Sequence, residues 1–193
     1  LRIAKEENLN KHDHIDICFE DGTILRYCDP RRFGCFLWSK HIDTHFLLKN
    51  LGPEPLGNSF SGDYLFYKSR KRKVPIKNFI MNSKVVVGVG NIYASEALFA
   101  AGIRPSCMAG KVPRKKYDLL AKEIVHILRK SIEEGGTTLR DFVGGDSKPG
   151  YFKQSLRVYG REGEECYECF SIIKGKRIGQ RASAYCPKCQ STF

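Results

Sequence analysis

Near its end the chain carries Cys166-x-x-Cys169 and Cys186-x-x-Cys189, two hooks separated by sixteen residues, and this pattern constrains the fold more than any other feature. Two Cys-x-x-Cys hooks at that spacing suit a tetrahedral zinc site, one hook at each of two tight turns. A segment this short has too little apolar surface to fold alone, so a metal supplies the ordering energy. Disulfides are the competing use. The other four cysteines are scattered singly, no signal peptide is evident and no apolar run reaches membrane length. Cys18 and Cys28 flank a hairpin turn predicted at Asp21-Gly22. A two-residue loop would place Cys18 opposite Leu25 and Cys28 opposite Ile15, so they are not expected to pair. One Zn2+ per chain on the four C-terminal thiolates is the expectation.

The zinc segment is basic, with Arg157, Arg161, Lys174, Lys176, Arg177, Arg181 and Lys188 around the hooks. The whole chain has 33 Lys+Arg against 21 Asp+Glu, a net charge of +12 that favours a polyanionic partner. Between Tyr64 and Ser95 stand seven basic residues and no acidic one: Lys68, Arg70, Lys71, Arg72, Lys73, Lys77 and Lys84. A solvated helix face normally mixes signs, so phosphate contact is the preferred use of this run.

With 193 residues, 41% of them hydrophobic, the chain can bury a sizeable core in one domain or two small ones. Ile15, Ile17 and Phe19 alternate up to the Asp21-Gly22 turn and Ile24 to Tyr27 return, which predicts an antiparallel hairpin. Phe33 to Trp38 reads as another strand. Leu1-Arg2-Ile3 looks like mid-strand, so a preceding segment is expected. From about Asp43 the period becomes helical, with Leu47, Leu48 and Leu51 ahead of the Gly52-Pro53-Glu54-Pro55 stop. Further helices are expected over Gly62–Arg72, Pro75–Met81 and Asn91–Ala101, the last capped by Gly102. The longest starts at Pro113, ends at Gly135-Gly136 and offers Tyr117, Leu120, Ile124, Leu128 and Ile132 as its buried stripe. A polar, Gly-rich loop spans Thr137 to Gly150.

Two short motifs each allow two readings. Gly88-x-Gly90-Asn91 at a helix start could cradle a phosphate on free N–H groups, or be a tight turn with Asn91 as cap. It lacks the third glycine and the βαβ setting of a dinucleotide fingerprint. Asp29-Pro30-Arg31-Arg32-Phe33-Gly34 could push Arg31 and Phe33 into a duplex, or be a turn whose Phe33 packs inward. The tip alone favours the turn.

Taken together, the motifs resemble the formamidopyrimidine-DNA glycosylase family of base-excision repair enzymes. The resemblance runs through Asp29–Gly34, Leu51–Leu56 (LGPEPL), Val86–Glu96 (VVGVGNIYASE), Gly135–Leu139 (GGTTL), Pro149–Phe152 (PGYF), Val158–Arg161 (VYGR) and Gln180–Gln190. The endonuclease-VIII-like sister group, which acts on oxidised pyrimidines, shares the architecture. GGTTL, PGYF and the QRA before the third cysteine look more like the formamidopyrimidine branch.

The resemblance implies an α+β chain in three parts. Residues 1–40 would be the C-terminal part of a β-sandwich catalytic domain, 41–150 a helix–two-turns–helix DNA-binding domain, and 151–193 a zinc-finger β-hairpin. It implies a bacterial, cytoplasmic, nucleoid-associated monomer with no membrane contact, working on double-stranded DNA with a damaged base. The oxidised purine, 8-oxoguanine or a formamidopyrimidine, would be flipped out. An N-terminal proline amine would displace it as a Schiff base, and β,δ-elimination would cut the strand. That proline, with its partner glutamate and lysine, matches nothing here, so the chain alone is expected to lack glycosylase activity. Arg31 and Phe33 match the residues that fill the gap of the flipped base, which reverses the preference drawn from the tip. Asn91 and Arg181 match a pair gripping phosphates at the lesion, and Arg181 also matches the assigned δ-elimination proton donor. Electrostatic stabilisation of the leaving phosphate suits an arginine better. His12 and Arg72 match further DNA contacts, Lys77 a lysine near the damaged base, and Thr137–Gly150 the segment closing over it. Phe170 departs from the family's usual glycine after the second zinc cysteine, where a left-handed turn would cost more. The alternative class is a non-catalytic zinc-ribbon module that binds DNA or RNA.

Overall fold

A computed structural model describes residues 1–4, 9–136 and 156–193. Its first part is a three-stranded antiparallel sheet of β1 (Arg2–Ala4), β2 (Asp13–Cys18) and β3 (Ile24–Cys28), in the order β1-β3-β2. The hairpin forms where expected, but its register differs from a two-residue loop. Cys18 lies opposite Ile24 and Ile15 opposite Tyr27. Phe19 N donates to Thr23 O at 2.9 Å and Gly22 N to Phe19 O at 3.0 Å, leaving a three-residue loop with Gly22 at φ +80°. That left-handed glycine is the reason: it closes a three-residue loop and shifts the pairings from Cys18 to Ile15 by one residue. Cys18 and Cys28 remain unpaired with each other, as expected, and all eight cysteines are free thiols.

Neither the strand expected over Phe33–Trp38 nor the helix from Asp43 forms. Phe33, Phe36, Leu37 and Trp38 are exposed, and no described strand pairs with them. Alternation makes a strand only where a neighbour completes the ladder. Residues 42–51 instead make successive turns, such as Leu48 N to His45 O at 2.8 Å and Leu51 N to Leu48 O at 3.0 Å. Leu47, Leu48 and Leu51 stay exposed, and a short helix without a packed face is not stable.

The helical part holds the main core. It comprises α1 (Gly62–Ser69), α2 (Ile76–Ile80), α3 (Asn91–Ala100) and α4 (Arg114–Glu133). Ser61 caps α1, its Oγ accepting from Tyr64 N at 3.1 Å. α1 stops three residues short of the expected end because Arg70 is extended and Lys71 takes φ +63°. Arg70 turns inward: its guanidinium lies 4.0 Å from the Phe66 ring centre and donates to Val112 O at 3.0 Å. Leu65, Ile76, Ile80, Leu98, Ile103, Tyr117, Leu120 and Ile124 are all buried in one cluster. On α4 the buried stripe passes through Tyr117, Leu120, Ala121, Ile124, Ile127 and Ser131, so Ile132 is exposed, contrary to expectation. A face of straight α-helix drifts, and at the last turn it points to Ser131, whose Oγ lies 2.5 Å from Tyr93 Oη. No helix among the described residues is long and apolar enough to cross a membrane.

The C-terminal part is a hairpin of β4 (Lys174–Ile178) and β5 (Arg181–Tyr185). Gly179 and Gln180 join the strands at φ +53° and +62°, the twist-matched two-residue turn. Phe99, Val158, Cys166, Ile173, Ala184 and Cys186 form a second, small core beneath it.

Candidate functional site

The four C-terminal cysteines converge. Their Sγ atoms all lie within 4.8 Å of one another, with Cys166–Cys189 at 3.9 Å and Cys169–Cys186 at 3.4 Å. A tetrahedron with metal–sulfur bonds of about 2.3 Å has sulfurs about 3.8 Å apart, so the set fits one metal ion. The thiols are pulled in opposite directions. The Ser171 hydroxyl and N–H lower Cys169 to about 6, whereas burial raises Cys186 and Cys189. A divalent cation would favour the thiolate at all four positions. Local folding builds the hooks: Phe170 N donates to Cys166 O at 2.8 Å, and Cys189 N to Cys186 Sγ at 3.4 Å. Phe170 does take the left-handed conformation, φ +60°, that a glycine would adopt freely.

Three buried polar side chains seat this unit on the helices, and the sequence singled out none of them for it. The Glu96 carboxylate on α3 accepts from Arg157 N at 2.9 Å, Val158 N at 3.0 Å and Tyr159 N at 2.8 Å. Gln190 donates to Ile103 O at 2.8 Å and accepts from Cys186 N at 2.8 Å. Lys77 on α2 donates to Ala182 O at 3.1 Å and Ser183 Oγ at 2.8 Å. A signal for Glu96 was present: it is an isolated carboxylate among Ala94, Ala97 and Leu98 on an otherwise apolar helix face.

These contacts correct the use assigned to the basic run. Lys77 is fully buried and Arg70 is spent on Phe66 and backbone carbonyls, so neither presents its charge outward. Burial first, and the nearby Arg181 second, lower Lys77 to about 8. Lys68, Lys71, Arg72, Lys73 and Lys84 remain exposed. Lys68, Arg72 and Lys84 line one groove with Asn50, Asn78 and Asn82, with no acidic side chain among the described residues of its wall.

Asn91 is the first residue of α3, after Gly88 at φ +76° and Gly90 at the cap position. Its Oδ1 is buried without a hydrogen-bond partner among the described residues, and Gly90 rather than Asn91 holds the cap position. Arg181 opens β5 and is exposed.

The remaining expected contacts lie on the three-stranded sheet. Asp29 organises their loop, accepting from Gly34 N at 2.7 Å, Arg32 N at 3.0 Å and Tyr27 Oη at 3.0 Å. The Gly34 N–H holds its carboxyl below the usual range, followed in effect by Tyr27 and Arg32. Phe33 is 84% exposed, which overturns the inward-packing reading, and the Arg31 guanidinium lies 5.6 Å from its ring centre. His12 is half-buried, and its carbonyl accepts from Asp29 N at 3.0 Å, so it adjoins this loop. The segment expected to close over a base, PGYF, and most of GGTTL lie outside the described residues.

Comparison with known proteins agrees with this arrangement. Residues 51–143 match the model of the formamidopyrimidine-DNA glycosylase H2TH domain. The chain is 56% identical over 190 residues to the formamidopyrimidine-DNA glycosylase of Glaesserella parasuis, covering 98% of itself and 69% of that protein. To the Stutzerimonas stutzeri protein of the same name it is 61% identical over 180 residues, covering 93% and 67%. Its fold superposes on a Lactococcus lactis Fpg mutant solved with Fapy-dG-containing DNA, at TM-score 0.88 and 33% identity, covering 98% of this chain and 70% of that one. MutM (Fpg) from Thermus thermophilus gives TM-score 0.87 at 31% identity, with coverage of 100% and 73%. With these relatives, its H2TH domain and its four-cysteine hairpin, the chain belongs to the formamidopyrimidine-DNA glycosylase family of base-excision DNA repair enzymes.

Proposed function

We propose that this chain forms the DNA-gripping part of a monomeric glycosylase and AP lyase that removes oxidised purines, 8-oxoguanine and formamidopyrimidines, from double-stranded DNA. Residues 1–40 supply the wedge loop, 41–150 the helical DNA-binding domain and 151–193 the zinc finger. The residues of this chain that match the family's functional positions would serve binding, distortion and charge stabilisation. Zinc on Cys166, Cys169, Cys186 and Cys189 would be structural, a closed four-thiolate set that fixes the root of the β4–β5 hairpin. Arg181 would grip a lesion-flanking phosphate and stabilise it as it leaves during δ-elimination. Asn91, His12, Arg72 and the exposed part of the basic run would hold further phosphates.

The observation that carries this proposal is Phe33, 84% exposed at the tip of a loop locked by Asp29 and flanked by Arg31. An exposed phenylalanine on a preorganised loop is costly unless it enters an apolar space, and the gap left by a flipped base is one. The test is binding to duplexes with and without an abasic site across a salt series. Phe33→Ala should reduce the preference for the abasic duplex while leaving the salt dependence unchanged. Arg181→Ala should weaken both duplexes and lower the salt slope by about 0.9, the value of one phosphate contact. An unchanged preference in Phe33→Ala would remove the wedge from the proposal, and an unchanged slope in Arg181→Ala the phosphate grip.

A further inference from the structure

Lys77 is a fully buried lysine whose ammonium, among the described residues, donates to neutral partners, Ala182 O at 3.1 Å and Ser183 Oγ at 2.8 Å. Both acceptors belong to β5, immediately after Arg181. A buried charge is normally given a counter-charge, because neutral acceptors only partly replace its lost hydration. Here the neighbouring charge is another cation, Arg181, which together with burial lowers the proton affinity of Lys77. Glu162 is a carboxylate that lines a pocket with Ala182 and Ser183, yet among the described residues the hydrogen bonds of the Lys77 ammonium go to Ala182 O and Ser183 Oγ. On α3, Tyr93 is committed to Ser131 and Glu96 to the three N–H groups of Arg157, Val158 and Tyr159. Arg104, after α3, donates to Pro187 O at 2.8 Å, and the charged residues of β4 are Lys174, Lys176 and Arg177. Arg181, exposed, and Lys77, buried beneath the hairpin, are thus two neighbouring cations.

We propose that Lys77 is a positioning residue for DNA binding: from beneath the hairpin it fixes the start of β5, and with Arg181 it shares the charge of one phosphodiester. The proposal rests on the assignment of Arg181 to a phosphate. It replaces direct contact between Lys77 and a base with action through the strand that carries Arg181. Its consequence is a proton linkage. A phosphate beside Arg181 stabilises the ammonium of Lys77, so the bound-state proton affinity exceeds that of the free chain. Affinity for DNA is then highest below the free value, about 8, and falls as pH rises through the higher bound value.

The test is the dissociation constant of the zinc-loaded chain for a duplex with a tetrahydrofuran abasic-site analogue, at fixed ionic strength, from about pH 7 to 9.5. Wild type should weaken across this range, about tenfold for each unit by which DNA raises the Lys77 value. Lys77→Met, similar in volume and uncharged, should bind more weakly at pH 7 and show no decline in this window. Ser183→Ala removes one acceptor from the ammonium and should move the decline to lower pH. Zinc content and thermal melting establish that each variant is folded. If Lys77→Met does not fold, Ser183→Ala decides, and an unmoved decline overturns the proposal. A wild-type profile in Lys77→Met also overturns it. Should Arg181→Ala leave affinity and salt slope unchanged, the phosphate assignment itself fails. Loss of affinity in Arg181→Ala with a wild-type profile in Lys77→Met refutes the role of Lys77 alone.

Discussion

Replacing Glu96 should detach the zinc hairpin from the helices at a cost that can be worked from its hydrogen bonds. The side chain is 4% exposed, Oε1 accepts from Val158 N and Tyr159 N, and Oε2 accepts from Arg157 N, at 2.8 to 3.0 Å. Glu96→Ala leaves three donors without an acceptor. The Val158 N–H is buried, while those of Arg157 and Tyr159 are half-buried and regain some water. An orphaned buried donor costs about 1–3 kcal/mol, so the total should reach about 3 kcal/mol. Glu96→Gln retains one carbonyl oxygen but turns its amide N–H groups toward a backbone donor, and should cost about 1–2 kcal/mol. Denaturant unfolding of the zinc-loaded protein measures both, with an unchanged denaturant slope showing that the same surface unfolds. The expected order of stability is wild type, Gln, Ala. A loss below about 1 kcal/mol in Glu96→Ala would refute the reasoning, because one exposed hydrogen bond would account for it.

Three further outcomes follow from neighbouring features. Phe170→Gly relieves a left-handed backbone at φ +60° on a side chain 72% exposed, so it should stabilise the zinc-loaded hairpin by about 1 kcal/mol in thermal unfolding. Removing the metal with a chelator should abolish hydrogen-exchange protection in β4 and β5 while α1 to α4 retain theirs, because the second core has few apolar side chains of its own. Folding lowers Lys77 from 10.5 to about 8, so between those pH values the unfolded chain binds more protons. Wild-type stability should therefore rise with pH through that window relative to Lys77→Met, by at most roughly 3 kcal/mol, in paired denaturant titrations.

Chemistry that depends on residue type and spacing was legible in the sequence. The two Cys-x-x-Cys hooks gave the thiolate cluster, because spacing alone puts each pair on one turn. Helices α1 to α4 could be placed from the apolar period and from capping signals such as Pro113, since those act within a few residues. The ordered motifs identified the family, and the +12 charge announced an anionic partner. What could not be read depended on groups distant in the chain. The hairpin register turned on one left-handed glycine, and Phe33–Trp38 found no strand to pair with among the described residues. Only the tertiary structure separated the basic residues that face outward from Lys77 and Arg70, which are buried or spent internally. The physical reason is that a cation reads the same in sequence whether its partner is water, a carbonyl or a phosphate. Burial and neighbouring charge decide which, and both are set by contacts spanning as much of the chain as Lys77 to Ser183.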